Sequence, residues 1–215
     1  MQRRYIIAAS ALALCFVFAA IGYLALAPDE TSDRRVETYI GDVRLTIPSA
    51  YFRFEHALSG GKLPEIDLAA DAKTFRPAKL LRKFRTDGPD PLAQTVFLTI
   101  MPPEGKLQPA ERTTRLYGRF LQADGWSHPG GLIMRRFVDG SPYEHEDLYM
   151  APPEGRVFAA RCTRPRKTPD GLPNTCIAEV RIDGVDVRAR FSPDLLSEWE
   201  HLLAGIRGLL QSFRR

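Results

Sequence analysis

The sequence predicts an α+β fold: an antiparallel sheet, made of an N-terminal hairpin and a C-terminal meander, packed by an internal helix and a C-terminal amphipathic helix and preceded by one transmembrane helix. Three observations predict it. Residues 132–191 hold successive strand-like runs separated by turn residues, residues 192–213 hold one apolar stripe at helical spacing, and Tyr5 to Ala27 is a 23-residue run with no charged residue.

The apolar run comes first in the chain. As a helix it would be about 34 Å long at 1.5 Å per residue, enough to cross a hydrocarbon core of about 30 Å with some tilt. A cleavable signal has an apolar stretch of roughly 7–15 residues. Ala25-Leu26-Ala27 supplies a small-x-small site, but the run is longer than that and Pro28 would obstruct the cut. Cys15 has the outline of a lipoprotein site, yet Leu14 stands where a small residue is required and the apolar run continues to Ala27. The reading is therefore a retained anchor over residues 1–27, with a cleaved signal and a lipoprotein as the alternatives weighed against it. Arg3 and Arg4 keep the short end in the cytoplasm, which sends the rest of the chain across the membrane. In a bacterium the expectation is a single-pass inner-membrane protein with a tether at 28–35 and a periplasmic domain at 36–215.

About 190 residues remain beyond the apolar run, which suits one domain with a core of its own. The net charge of +4 overstates how basic that domain is, because Arg3 and Arg4 precede the run and no acid lies before Asp29. Acids and bases alternate along the rest, with no basic face or tail, so a nucleic-acid partner is not expected.

Val36 to Ile40 and Val43 to Ile47 read as a hairpin across Gly41-Asp42, ended by Pro48. Tyr51, Phe52 and Phe54 are expected to cover the core edge. Leu63 to Ala72 is a weaker strand pattern and Thr95 to Met101, rich in β-branched and aromatic residues, a stronger one. Pro109 to Ala123 reads as a helix, with Ala110, Thr113, Tyr117, Phe120 and Leu121 on one face and Asp124-Gly125 as its stop.

The meander follows as Leu132 to Val138, Tyr143 to Met150, Arg156 to Thr163, Cys176 to Ile182 and Val185 to Phe191. Asp183-Gly184 joins the last two as a type I′ hairpin signal. Val185, Val187, Ala189 and Phe191 alternate with Asp186, Arg188 and Arg190, predicting one buried and one wet face. Ser192-Pro193-Asp194 opens a helix to about Phe213 whose stripe includes Leu196, Trp199, Leu203, Ile206 and Leu210. A sheet with one dry face needs such a cover.

Cys162 and Cys176 flank a loop dense in Pro, Gly, Asp and Asn, and period-2 alternation points both thiols to the same side of a hairpin. In an oxidising compartment such a pair is expected to bridge. No Cys-x-x-Cys spacing favours a redox-active pair instead.

A search for chemistry finds no local catalytic, cofactor or metal constellation, and none is expected. His56, His128, His145 and His201 are scattered, and no Gly-rich phosphate loop or Gly-x-Ser-x-Gly elbow is present. Tyr143-Glu144-His145-Glu146-Asp147 concentrates ionisable groups, but on a strand they would split between two faces. Arg76, Lys79, Arg82, Lys83 and Arg85, interleaved with Leu80, Leu81 and Phe84, form the densest basic run, which an acidic protein or anionic headgroups could contact.

The order of hairpin, strands, helix, antiparallel meander and closing helix resembles the Mog1/PsbP-like fold over most of residues 36–213. That resemblance implies a binding or accessory role. The expected function is a membrane-anchored, non-enzymatic binding protein with a protein partner, either a subunit of an envelope complex or an immunity-type protein. The alternative is an envelope hydrolase whose site is assembled from residues distant in sequence.

Overall fold

The computed structural model describes residues 34–78, 93–105, 107–164 and 174–214. The expected anchor and Lys79, Arg82, Lys83 and Arg85 of the basic run lie outside these residues. Among the described residues no helix is long and apolar enough to cross a membrane.

The N-terminal hairpin forms as its alternation predicts: β1 (Arg35–Ile40) pairs antiparallel with β2 (Val43–Pro48), register Ile40 to Val43, across Gly41-Asp42. It does not join the meander. A short strand β3 (Gly61–Lys62) runs parallel on the other side of β1, so the hairpin belongs to a separate three-stranded sheet. The single sheet expected from sequence is corrected to two: β3 takes the free edge of β1, β2 stays an edge strand, and among the described residues neither forms a ladder with the meander.

The second sheet has eight strands: β4 (Ile66–Asp71), β5 (Thr95–Met101), β6 (Trp126–His128), β7 (Leu132–Arg136), β8 (Glu146–Met150), β9 (Ala159–Thr163), β10 (Cys176–Ile182) and β11 (Val185–Phe191). Their order is β4-β5-β11-β10-β9-β8-β7-β6, and every neighbouring pair is antiparallel. Between β10 and β11, Asp183 and Gly184 take φ of +46° and +87°, the positive values a type I′ turn requires, and Ile182 faces Val185.

Period-2 alternation gives the sheet an inner face. Leu68, Leu98, Ile100, Val187, Ala189, Ala178 and Ala160 line it, joined by Leu45 and Ile47 of the hairpin. Ser192 accepts the Asp194 N–H and starts a 3₁₀ turn (Pro193–Glu198) that leads into α2 (Trp199–Phe213). The predicted stripe of α2 closes this core: Trp199, Leu202, Leu203, Ile206, Leu210 and Phe213 are all buried. Phe213 meets Tyr51 edge-on at 5.3 Å between centroids, Trp199 stacks on Phe158 at 5.1 Å and its indole N–H donates to the Gly130 carbonyl at 2.8 Å. Of the three aromatics expected over the core edge, Tyr51 is buried, Phe52 half-buried and Phe54 exposed.

Cys162 and Cys176 form the expected disulfide. They are directly opposed in the β9–β10 register and both belong to the core. The neighbouring Thr163 N–H donates to the Thr175 carbonyl, so the cysteines occupy a non-hydrogen-bonded pair, where side chains of facing strands come closest.

Two expectations from periodicity are corrected. The helix over Pro109 to Ala123 is regular only as α1 (Pro109–Arg112), where Gln108 and Glu111 make a capping box; Thr113–Tyr117 widens to a π turn and Gly118–Phe120 tightens to a 3₁₀ turn. The β-branched pair Thr113-Thr114 and Gly118 weaken the α-helix, and the distorted turns carry Tyr117 into a second cluster with Phe137 and Leu148. That cluster lies on the outer face, which is therefore not simply wet. Asp186, expected in water, is only 4% exposed, because the chain at Glu104 lies over it and donates its N–H to the carboxylate at 3.0 Å.

Candidate binding site

On the outer face, α1 packs on β10, and Tyr117 just beyond it packs on Leu148 of β8. The β9–β10 ladder stops at Ala160–Ala178. Before it, Gly155 to Phe158 turn away from β10, and a cleft of about 210 Å³ opens among that segment, α1 and Glu179 to Arg181. Arg156, Arg161, Arg181 and Arg207 bring guanidinium groups to its walls, and Tyr117 and Ile177 supply apolar surface.

The carboxylates around the cleft are each held by arginine. Glu179 bridges Arg112 and Arg188, the latter at 2.8 Å, and Arg112 also reaches Glu104 at 3.2 Å. Asp186 binds Arg181 at 2.6 and 3.0 Å, and Glu146 binds Arg161 at 2.5 Å. Burial would raise the Asp186 pKa, but the Arg181 hydrogen bonds, the Glu104 N–H and the charges of Arg181 and Arg112 outweigh it and leave the carboxyl below its ordinary range. Burial raises the Tyr117 phenol against the opposing charge of Arg161, whose guanidinium lies 5.4 Å from the Tyr117 ring and 5.0 Å from that of Tyr143. The Thr113 hydroxyl is buried in the cleft wall with no hydrogen-bond partner among the described residues.

The cluster from Tyr143 to Asp147 is placed differently from the sequence expectation. Strand β8 begins only at Glu146, because Gly140 to Glu144 fold into a turn in which the Gly140 N–H donates to Glu144 at 2.7 Å. His145 is exposed beside Glu144, Glu146 turns to Arg161, and Asp147 points to the other face and binds Arg164 at 2.7 Å. The structure thus does not bring these groups together. Among the described residues no set of three His, Cys, Asp or Glu side chains is arranged to hold a metal. Of the basic run only Arg76 is described, and it is exposed.

Sequence reasoning missed the importance of Arg112, Arg161 and Glu179. Alternation did place Glu179 and Arg188 on the outer face, but a count of period-2 positions does not show which acid meets which base across strands.

These features define an α+β protein whose large antiparallel sheet is closed by a C-terminal helix on one face and carries an arginine–carboxylate mosaic on the other. Two solved structures share the fold. One is Smlt3025, an immunity protein of the Stenotrophomonas maltophilia type IV secretion system: TM-score 0.58, 12% identity, covering 85% of this chain and 94% of that one. The other is the Neisseria meningitidis iron-regulated outer membrane lipoprotein FrpD: TM-score 0.50, 15% identity, covering 86% of this chain and 94% of that one. No family model and no curated protein sequence matches the chain.

Proposed function

We propose that this chain is a membrane-anchored periplasmic protein that acts by binding a protein partner, as an immunity-type protein or an accessory subunit of an envelope complex. The observation that carries the reading is the ion pairing of the carboxylates in and beside the cleft, where Glu179, Asp186 and Glu146 each bind at least one guanidinium. A carboxylate held by one or two guanidinium groups is a weak base, because protonating it discards those charge-assisted bonds, whereas a rigid polar mosaic suits recognition of another surface. The fold shared with an immunity protein supports the same reading, as does the Mog1/PsbP-like order of elements, which belongs to this proposal. The disulfide supports an oxidising compartment, and the uncharged run after Arg3 and Arg4 supports the anchor.

Two measurements test it. An alkaline phosphatase fusion after Asp33 is expected to be active, with the full-length chain in the membrane fraction at its uncut mass; a soluble form starting near Pro28 would refute the anchor. Purification of the tagged protein from its own membrane, followed by reassembly from purified components, is expected to give a stoichiometric complex. Hydrolysis of peptidoglycan, lipid or ester substrates that disappears in His145→Ala or Glu146→Ala would refute the binding role.

A further inference from the structure

The outer face around β4 and β5 contains an arrangement separate from the cleft. Arg53 follows the bridge between Phe52 and Leu68 and donates its N–H to the Asp67 carbonyl at 3.1 Å, which fixes it beside β4. Its guanidinium carbon lies 4.6 Å from the centroid of the Phe97 ring and 5.1 Å from that of Phe54. Phe54 is 44% exposed and also stacks on His56 at 5.8 Å. On the far side of Phe97, the β5–β11 register places Arg190 directly opposite it, and Arg190 is exposed.

The ion pairing separates these two arginines from Arg161, Arg181 and Arg188 of the same face. Each of those three holds a carboxylate, while Arg53 and Arg190 hold none among the described residues. Asp67, the acid of this patch, accepts the Thr99 hydroxyl at 2.7 Å. A guanidinium lying against aromatic rings loses little freedom on binding and keeps its N–H edge for a planar anion. Aromatic rings and arginines together are enriched at the centres of protein interfaces.

We propose that Arg53, Phe54, Phe97 and Arg190 form a docking surface for an acidic protein, with Arg53 and Arg190 receiving partner carboxylates on either side of the Phe97 ring. This rests on the binding role proposed above and names the chemistry of the partner. An anionic membrane is the other possible occupant. It is disfavoured because the patch offers two cations on either side of one ring, whereas headgroup binding draws on larger clusters of cations.

The test uses the full chain in uncharged detergent and a fluorescent twelve-residue poly-glutamate peptide. Saturable binding is expected that weakens at least tenfold in R53E/R190E and about threefold or more in F54A, which keeps both charges. R35E/R136E makes the same change in net charge at exposed positions away from both the patch and the cleft, and is expected to weaken binding less than threefold. Equal loss in the two double variants would show general charge attraction and overturn the surface. So would the absence of saturable binding, or binding to phosphatidylglycerol vesicles lost in R53E/R190E without any binding of the peptide. In these cases the binding role still stands, since it falls only with the hydrolase result. Unchanged thermal melts are expected for every variant, because all five side chains are on the surface; F97A, which trims a half-buried ring between the arginines, gives an independent arm if either double variant unfolds.

Discussion

Two glycines three residues apart in α2 are expected to respond to the same substitution with opposite signs. In a helix interior Gly→Ala stabilises by about 0.8–1 kcal/mol, since alanine leaves less backbone entropy to lose. At Gly208 a Cβ would meet nothing within 4 Å, so Gly208→Ala is expected to add about 0.5–1 kcal/mol. At Gly205 a Cβ would fall among the ring carbons of Phe75. That ring cannot easily withdraw: Phe75 has φ of +53°, its N–H donates to the Asp71 carbonyl at 2.9 Å, its carbonyl accepts the buried Tyr51 hydroxyl at 3.0 Å, and its ring meets His201 at 5.7 Å. Overpacking costs about 1–3 kcal/mol, and a Cβ 1.9 Å from a ring carbon belongs in the upper part of that range, about 2–3 kcal/mol. Set against the propensity gain, Gly205→Ala should be destabilising by about 1–2 kcal/mol. The two variants should then differ by about 2–3 kcal/mol, or about 4–12 °C in Tm for a domain of this size. Urea unfolding with a common m-value gives the difference directly. A stabilising Gly205→Ala, equal in sign to Gly208→Ala, would refute the close packing of Phe75 on α2.

Replacing both Cys162 and Cys176 by Ala is expected to preserve the fold and lower its stability by about 2–4 kcal/mol, because a loop closed over a sequence separation of 14 regains its freedom when unfolded. Two readily alkylated thiols in protein alkylated directly in the cells that make it would contradict the bridge. Asp186→Asn should cost about 1–3 kcal/mol by leaving the Arg181 charge without its carboxylate, and a loss below about 0.5 kcal/mol would mean that water replaces the pair. Since the folded pKa of Asp186 is lowered, its contribution is present above the unfolded carboxyl range near pH 4 and fades as pH falls through the lower folded value. The wild-type chain should therefore lose more stability below pH 4 than Asp186→Asn does, which parallel urea titrations at acid pH would detect.

The sequence by itself determined the elements whose partners lie nearby in the chain. The β10–β11 hairpin follows from Asp183-Gly184 and strict alternation, and the face of α2 from its apolar spacing, although the helix expected from Ser192-Pro193-Asp194 opens as a 3₁₀ turn and becomes α-helical only at Trp199. It also determined the disulfide, since the same alternation sets both cysteines on one side of adjacent strands. Periodicity encodes which way a side chain points but not what lies there. Only the tertiary structure decided that β3 takes the free edge of β1, that the chain at Glu104 buries Asp186, and that α1 loosens into wider and tighter turns to seat Tyr117. It alone brought Arg53 to Phe97 and set Glu179 between Arg112 and Arg188, joining residues far apart in the chain. The reason is physical: these contacts are made across strands and between layers, where the sheet order fixes the neighbours, and no local propensity or spacing carries the order β4-β5-β11-β10.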